Sequence, residues 1–262
     1  MLKVKINKLY TMDCFKFLKL VPDEFVDLIV IDPPYNMNKD KWDKFNSTED
    51  FFKFTYSYLD MLIPKMKATG SFYIFNSPFN CAFILKYLLD KKLVFQNWIT
   101  WDKRDGLSAA KKKYTNAQET ILFFTKTNNY TFNVDDIRIP YESVDRIEHA
   151  KKKGIIKNGK RWFPNPKGKL CTDVWHFSSE RHKSKIDGKT PKLPHATPKP
   201  LDLIERIIKA SSNQGDLVLD CFVGIGTTAI AAKKLGRNFI GCDISSKYIK
   251  IANQRLKMIE NE

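Results

Sequence analysis

Short apolar runs and helical stripes take turns along the 262 residues. Val4–Tyr10 alternates like a strand, and Leu28–Ile31 is a continuous apolar run that stops on Asp32, Pro33 and Pro34. Neither proline can donate to a sheet ladder, so the strand must end there. Residues 46–65 open on Ser47 and Thr48 with Glu49 and Asp50 behind them, then set Phe51, Phe54, Tyr58 and Leu62 on one side. That is a capped helix with a core-facing stripe, ended near Pro64. Further along, 70–76, 93–101 and 119–126 read as strands, and 79–92 and 199–210 as helices. The last segment reads strand (216–221), Gly-rich turn, helix (227–235) closed by Gly236, strand (238–243), and helix from about 246. The alternation predicts an α/β fold on a mostly parallel sheet.

Between residues 127 and 194 the apolar rhythm fades. Residues 151–199 hold 14 Lys or Arg against 3 Asp or Glu, with Trp162, Phe163 and Trp175 among them. We read 127–194 as an inserted basic, loop-rich module. A merely solvated loop has no use for tryptophan, so the aromatics favour a binding surface. The whole chain carries a formal charge of +16, which points to a polyanion and most simply to nucleic acid. No apolar run is long enough to cross a membrane, and the N-terminus lacks the shape of a signal peptide. Cys14, Cys81, Cys171, Cys221 and Cys242 are scattered with no metal-ligand spacing, so neither disulfides nor a metal is expected.

Two stretches carry chemistry. Asp32-Pro33-Pro34-Tyr35 puts a carboxylate, a rigid turn and a phenol ring at the C-terminal end of a strand, where open α/β sheets bind ligands. An exocyclic amine on a nucleobase is a poor nucleophile, because its lone pair is delocalised into the ring. Asp32 accepting one N–H and the Pro33 carbonyl the other would draw that lone pair out, ready to attack a methyl group. Tyr35 would stack on a base removed from the duplex, and the prolines would hold the acceptors in fixed relation. The second stretch is the strand ending at Asp220, which runs into Gly224-x-Gly226 and a helix start at Thr227 and Thr228. Glycines there let a ligand approach the backbone, and the free N–H groups can hold an anion. Asp243 lies 19 positions after Gly224, the spacing at which a carboxylate grips ribose hydroxyls. This fingerprint by itself does not separate a nicotinamide dinucleotide from S-adenosylmethionine.

The two stretches in this order resemble the amino-group DNA methyltransferases of the β arrangement, found in type II restriction–modification systems. There a DPPY block precedes the target-recognition region, and an FxGxG block, here Phe222 to Gly226, follows it. "WITWDK" (98–103), "AQETILFFTK" (117–126) and "HATPKPLDLIERII" (195–208) also resemble family segments, with Ala196 and Pro198 replacing the usual Pro and Gln. The resemblance implies a Rossmann-like methyltransferase sheet, circularly permuted so that the N-terminal strand lies beside the strand ending at Asp243. It implies seven strands with the last hairpin antiparallel, a catalytic half (1–126), a recognition insert (127–194) and a cofactor-binding half (195–262). It further implies S-adenosylmethionine as cofactor, with His195 and Lys199 near its methionine end. Asp13 would meet the adenine of that cofactor, or equally cap the helix that follows.

By the same resemblance Asp32, rather than Ser, favours adenine N6 over cytosine N4 as the methylated position. C5 chemistry needs a cysteine after a proline, and no cysteine here follows one. The expected enzyme is thus a site-specific methyltransferase of double-stranded DNA, bacterial and cytoplasmic, paired in function with a restriction endonuclease, possible as a homodimer. The rivals are a cytosine-N4 methyltransferase, a non-catalytic DNA-binding regulator on the same fold, and a nicotinamide-dependent dehydrogenase, which accounts for neither the charge nor DPPY. Within the insert, the charge run Lys151, Lys152, Lys153, Lys157, Lys160 and Arg161 is expected on phosphates. Arg161, Asn165, Arg181 and His182 are the candidates for reading base edges.

Overall fold

The computed structural model describes residues 4–37, 43–103, 111–112, 114–179 and 198–259. Its strands are β1 (Lys8–Thr11), β2 (Val26–Ile31), β3 (Met66–Asn76), β4 (Val94–Asp102), β5 (Gln118–Thr125), β6 (Ile155–Lys157), β7 (Lys160–Trp162), β8 (Val174–His176), β9 (Leu217–Asp220) and β10 (Asn238–Asp243). Its helices are α1 (Cys14–Leu18), α2 (Thr48–Leu62), α3 (Pro78–Asp90), α4 (Val144–Lys153), α5 (Leu201–Ser211), α6 (Thr227–Lys234) and α7 (Ser246–Met258). The main sheet has the order β1-β10-β9-β2-β3-β5-β4-β8. Strand β5 runs antiparallel to both neighbours, and the other pairings are parallel.

The permutation expected from the sequence is present: β1 lies parallel to β10, with Tyr10 opposite Cys242 and Thr11 opposite Asp243. Its strand begins at Lys8, not Val4. The core forms two layers because β2 and β3 alternate across the sheet. Ile29, Ile31, Phe72 and Ile74 join the cluster under α1, α2 and α3. Leu28, Val30, Tyr73 and Phe75 join the one under α5, α6 and α7. Thus α2, which follows β2, packs on one face, and α6, which follows the adjacent β9, packs on the other. The chain parts in opposite directions at the β2–β9 seam, and the crevice at such a switch point is where α/β sheets hold ligands.

The insert differs from expectation. It is not loop-rich throughout: α4 and the β6–β7 hairpin lie within it, and β8 pairs in parallel with β4 to give the main sheet an eighth strand. Three-residue strands are too short to show a period of two, and in α4 the short apolar side at Ile147 and Ala150 is outnumbered by charged residues, so the sequence pattern misses both. The insert's first residues also belong to the body of the domain. Phe132 stacks on Phe123, and the Asn133 amide donates to the carbonyls of Lys209 and Ser212 at the end of α5.

Candidate active site

Strands β1, β10, β9 and β2 are adjacent and parallel, so their C-terminal ends share one edge of the sheet. A cavity of about 340 Å³ opens there, lined by Asp13, Asp32, Pro33, Pro34, Tyr35, Lys199, Phe222, Gly224, Thr227, Thr228 and Asp243, among others. Nearly every residue expected from the sequence at the catalytic and cofactor sites therefore faces one space, although they come from both ends of the chain. His195, Arg181 and His182 lie outside the described residues.

The Asp32–Tyr35 turn is held from behind. The buried carboxylate of Asp43 accepts the backbone N–H groups of Tyr35 (2.6 Å), Asn36 (2.7 Å) and Met37 (3.0 Å). Asn80 donates to the Tyr35 carbonyl at 2.9 Å, and Pro33 and Pro34 are buried. The turn is thus rigid through tertiary bonds as well as through proline. Asp32 itself is held by two donors: the Tyr35 hydroxyl to Oδ1 at 2.9 Å and the Lys199 ammonium to Oδ2 at 2.6 Å. The Tyr35 hydroxyl also reaches Glu119 Oε2 at 3.1 Å. Burial, and after it the charges of Asp32 and Glu119, push this phenol well above its ordinary range, so it stays a donor. The sequence suggested Tyr35 chiefly as a ring; the structure gives its hydroxyl a partner on each side.

Lys199 was expected beside the cofactor. It lines the cavity, but its ammonium is bound to Asp32 and, at 3.3 Å, to Glu119. Burial pulls its basicity down, yet the two carboxylates outweigh that and the net direction is up, so Lys199 remains charged. Asp13 accepts the N–H groups of Phe15 and Lys16 and so caps α1, as one of its two readings required. Its carboxylate also lies in the cavity wall.

On the other wall, Gly224 and Gly226 have φ of +52° and +87°, values L side chains rarely adopt. Asp243 Oδ2 accepts the Gly224 N–H and Oδ1 the Ser245 N–H, both at 2.8 Å, so the carboxylate ties the glycine turn to the end of β10. Gly226 does not touch the cavity. A Cβ there would come within 2.7 Å of Ala252 Cβ on α7, so this glycine is demanded by helix packing rather than by a direct collision with ligand.

Asp220, at the end of β9, accepts the Phe222 N–H at 2.9 Å and a bond from Thr228. Burial raises its pKa from 3.8 to about 7, helped by the charges of Asp32 and Asp243. With the folded value above the unfolded one, Asp220 contributes stability that is complete below pH 3.8 and is lost as the pH rises through about 7. We expect Asp220→Asn to remove this dependence. From about pH 5 to about pH 8 its stability relative to wild type should improve by up to about 3 kcal/mol. Parallel thermal-stability profiles for the two proteins would refute the assignment.

Sequence reasoning missed Glu119, Asp43, Lys103 and Asp220. Glu119 stood in view as a lone acid opening the apolar run of β5, and Asp220 as the last residue of β9. Asp43 and Lys103 carry no local signal.

A family model described as DNA methylase matches residues 26–254. The chain belongs to the DNA methylase family. It is 62% identical to the type II methyltransferase M1.MboII of Moraxella bovis, over 98% of this chain and 99% of that protein. It is 36% identical to the type II methyltransferase M.BglII of Bacillus subtilis, over 97% of this chain and 70% of that protein. Among solved structures, the M1.HpyAVI–SAM complex superposes with a TM-score of 0.65 at 26% identity, covering 95% of this methylase and 98% of that chain. The likeness spans the cavity walls, the sheet and the insert alike.

Proposed function

We propose that this methylase transfers the methyl group of S-adenosylmethionine to the N6 amino group of an adenine turned out of duplex DNA. The observation that carries the proposal is the meeting of Asp32, held between Tyr35 and Lys199, with the glycine turn of β9 in one cavity. The cavity suits the cofactor. Its walls combine apolar side chains with the carboxylates of Asp13, Asp32 and Asp243, a match for a nucleoside carrying cationic groups. Its open glycine turn admits close backbone approach. Asp243 would bind the ribose and the start of α6 at Thr227 and Thr228 the amino-acid end. When bound, the cofactor supplies an electrophilic methyl group.

The rest is done by the chain. Asp32 accepts one amine hydrogen and the Pro33 carbonyl the other, so electron density stays on nitrogen. The buried turn fixes both acceptors before the base arrives, which is where most of the advantage lies. Tyr35 provides the face against the base. On the same reading the recognition module is 127–194, and the enzyme works in a bacterial cytoplasm, where it protects DNA from a cognate endonuclease. The two relatives described above, both type II methyltransferases, support that setting. Plasmid DNA incubated with labelled S-adenosylmethionine and digested to nucleosides should yield N6-methyladenine. N4-methylcytosine would overturn the choice of base, and no methylated nucleoside would overturn the reading.

The insert's charge has a measurable signature. Lys151, Lys152 and Lys153 form the exposed last turn of α4, with Lys151 paired to Glu148. Beside them the β6–β7 hairpin carries Arg161 and exposed Trp162, with exposed Phe163 just beyond. Arg161 also donates to the Lys153 carbonyl at 3.1 Å, bracing the end of α4. If the lysines meet phosphates, each contributes about −0.9 to the slope of log affinity against log salt. Replacing all three with Ala should flatten that slope and weaken specific and non-specific duplexes alike. Identical slopes would remove this turn from the DNA interface.

A further inference from the structure

We infer that Glu119 is a positioning residue for the methyl-transfer step, acting on Asp32 through both groups that hold it. The inference rests on the proposed reaction and deepens it. Glu119, the second residue of β5, lies opposite Trp101 of β4 and is only 5% exposed, a rare place for a glutamate without a specific role. Its Oε2 is reached by the Tyr35 hydroxyl at 3.1 Å and by the Lys199 ammonium at 3.3 Å. These same two donors bind Asp32, one on each oxygen. Glu119 thus fixes the clamp, and the clamp fixes Asp32.

The charges explain why a carboxylate is needed. Lys103 binds Glu119 Oε1, so positive and negative groups alternate through Lys103, Glu119, Lys199 and Asp32. The row is neutral, as a buried cluster must be. Lys199 sits over the rings of Tyr35, Phe75 and Trp101, with Nζ 5.4, 5.5 and 5.9 Å from their centroids, and its three protons allow it to serve both carboxylates. With Glu119 neutral, Lys199 would turn wholly to Asp32 and compete with the incoming amine for it. With Glu119 shortened, the carboxylate could not reach the hydroxyl and the ammonium together. Either change leaves Asp32 charged but wrongly aimed.

The test compares Glu119→Gln and Glu119→Asp with wild type, using plasmid DNA and labelled S-adenosylmethionine. Turnover, KM for the cofactor, calorimetric cofactor affinity and thermal transition are all read. We expect both variants to lose turnover by roughly tenfold to a hundredfold, the range that a small misplacement of a reacting group produces. Cofactor affinity and KM should stay within about threefold, since the loss falls on the transition state and not on binding. Glu119→Asp keeps the charge, so it decides the matter should Glu119→Gln fail to fold. A folded Glu119→Asp with wild-type turnover overturns the inference, as does a loss confined to cofactor affinity. The nucleoside formed by wild type tests the proposed reaction separately: a different methylated base refutes that reading and leaves the split at Glu119 to be judged on its own.

Discussion

Asp32→Ala is expected to abolish methyl transfer while cofactor binding survives. The side chain sits at the end of β2 with its two oxygens bound to Tyr35 and Lys199. A carboxylate has about four lone-pair positions, so acceptor capacity remains for a target amine. On the proposed mechanism, removing it takes away a charged acceptor for the amine, and losses from deleting such preorganised groups run to about a hundredfold to a thousandfold. The variant also leaves Lys199 with fewer partners in a buried place, which costs about 3–5 kcal/mol when a buried pair is broken. Asp32→Asn, of the same shape, is therefore the companion variant, and it should be equally silent. Incorporation of labelled methyl into DNA gives the activity, and calorimetry gives the binding. A variant with near-normal turnover would mean that the reaction does not run through Asp32.

Gly226→Val should lose cofactor binding and lower the thermal transition as well. The residue stands at φ +87° where α6 begins. A side chain there adopts a left-handed backbone at a cost of roughly 1–2 kcal/mol, and more for a branched one. Its Cβ would press on Ala252, 2.7 Å from Cβ and 3.2 Å from Cα, and overpacking of this kind costs about 1–3 kcal/mol. The strain would be relieved by moving α6 away from α7, and the glycine turn that Asp243 holds would move with it. A fall of roughly 5–15 °C in the transition, with cofactor affinity reduced by more than about tenfold, is the expected result. Asp243→Ala should be milder, because the turn keeps its backbone and loses only its tie to β10. Wild-type affinity in both variants would exclude this turn from the cofactor pocket.

The sequence by itself determined the parts of the site that are local. An apolar strand ending in Asp-Pro-Pro-Tyr can only stop and turn, because proline has no N–H to continue the ladder. A strand followed by Gly224-x-Gly226 and a helix start can only make a tight turn with left-handed residues. Hydrophobic rhythm located most strands and helices for a similar reason, since period and length act over a few neighbouring residues. The rhythm failed in the insert, where α4 is mostly charged, with only a narrow apolar side that includes Ile147 and the buried Ala150, and β6, β7 and β8 are three residues each.

Only the tertiary structure decided what surrounds Asp32. Its partner Lys199 is 167 positions away in the chain, and the Tyr35 hydroxyl finds Glu119 at a separation of 84. Neither pairing has a spacing to read, because it arises only when the end of β2, the start of β5 and the segment before α5 come together. The same holds for Asp43, whose carboxylate looks like any surface acid until three backbone N–H groups converge on it, and for Asp220, whose pKa is raised first by burial and then by the charges of Asp32 and Asp243. Groups carried on a rigid local turn are written in the order of residues. The charges that aim them depend on distance and exclusion of water, and those exist only once the sheet has closed over them.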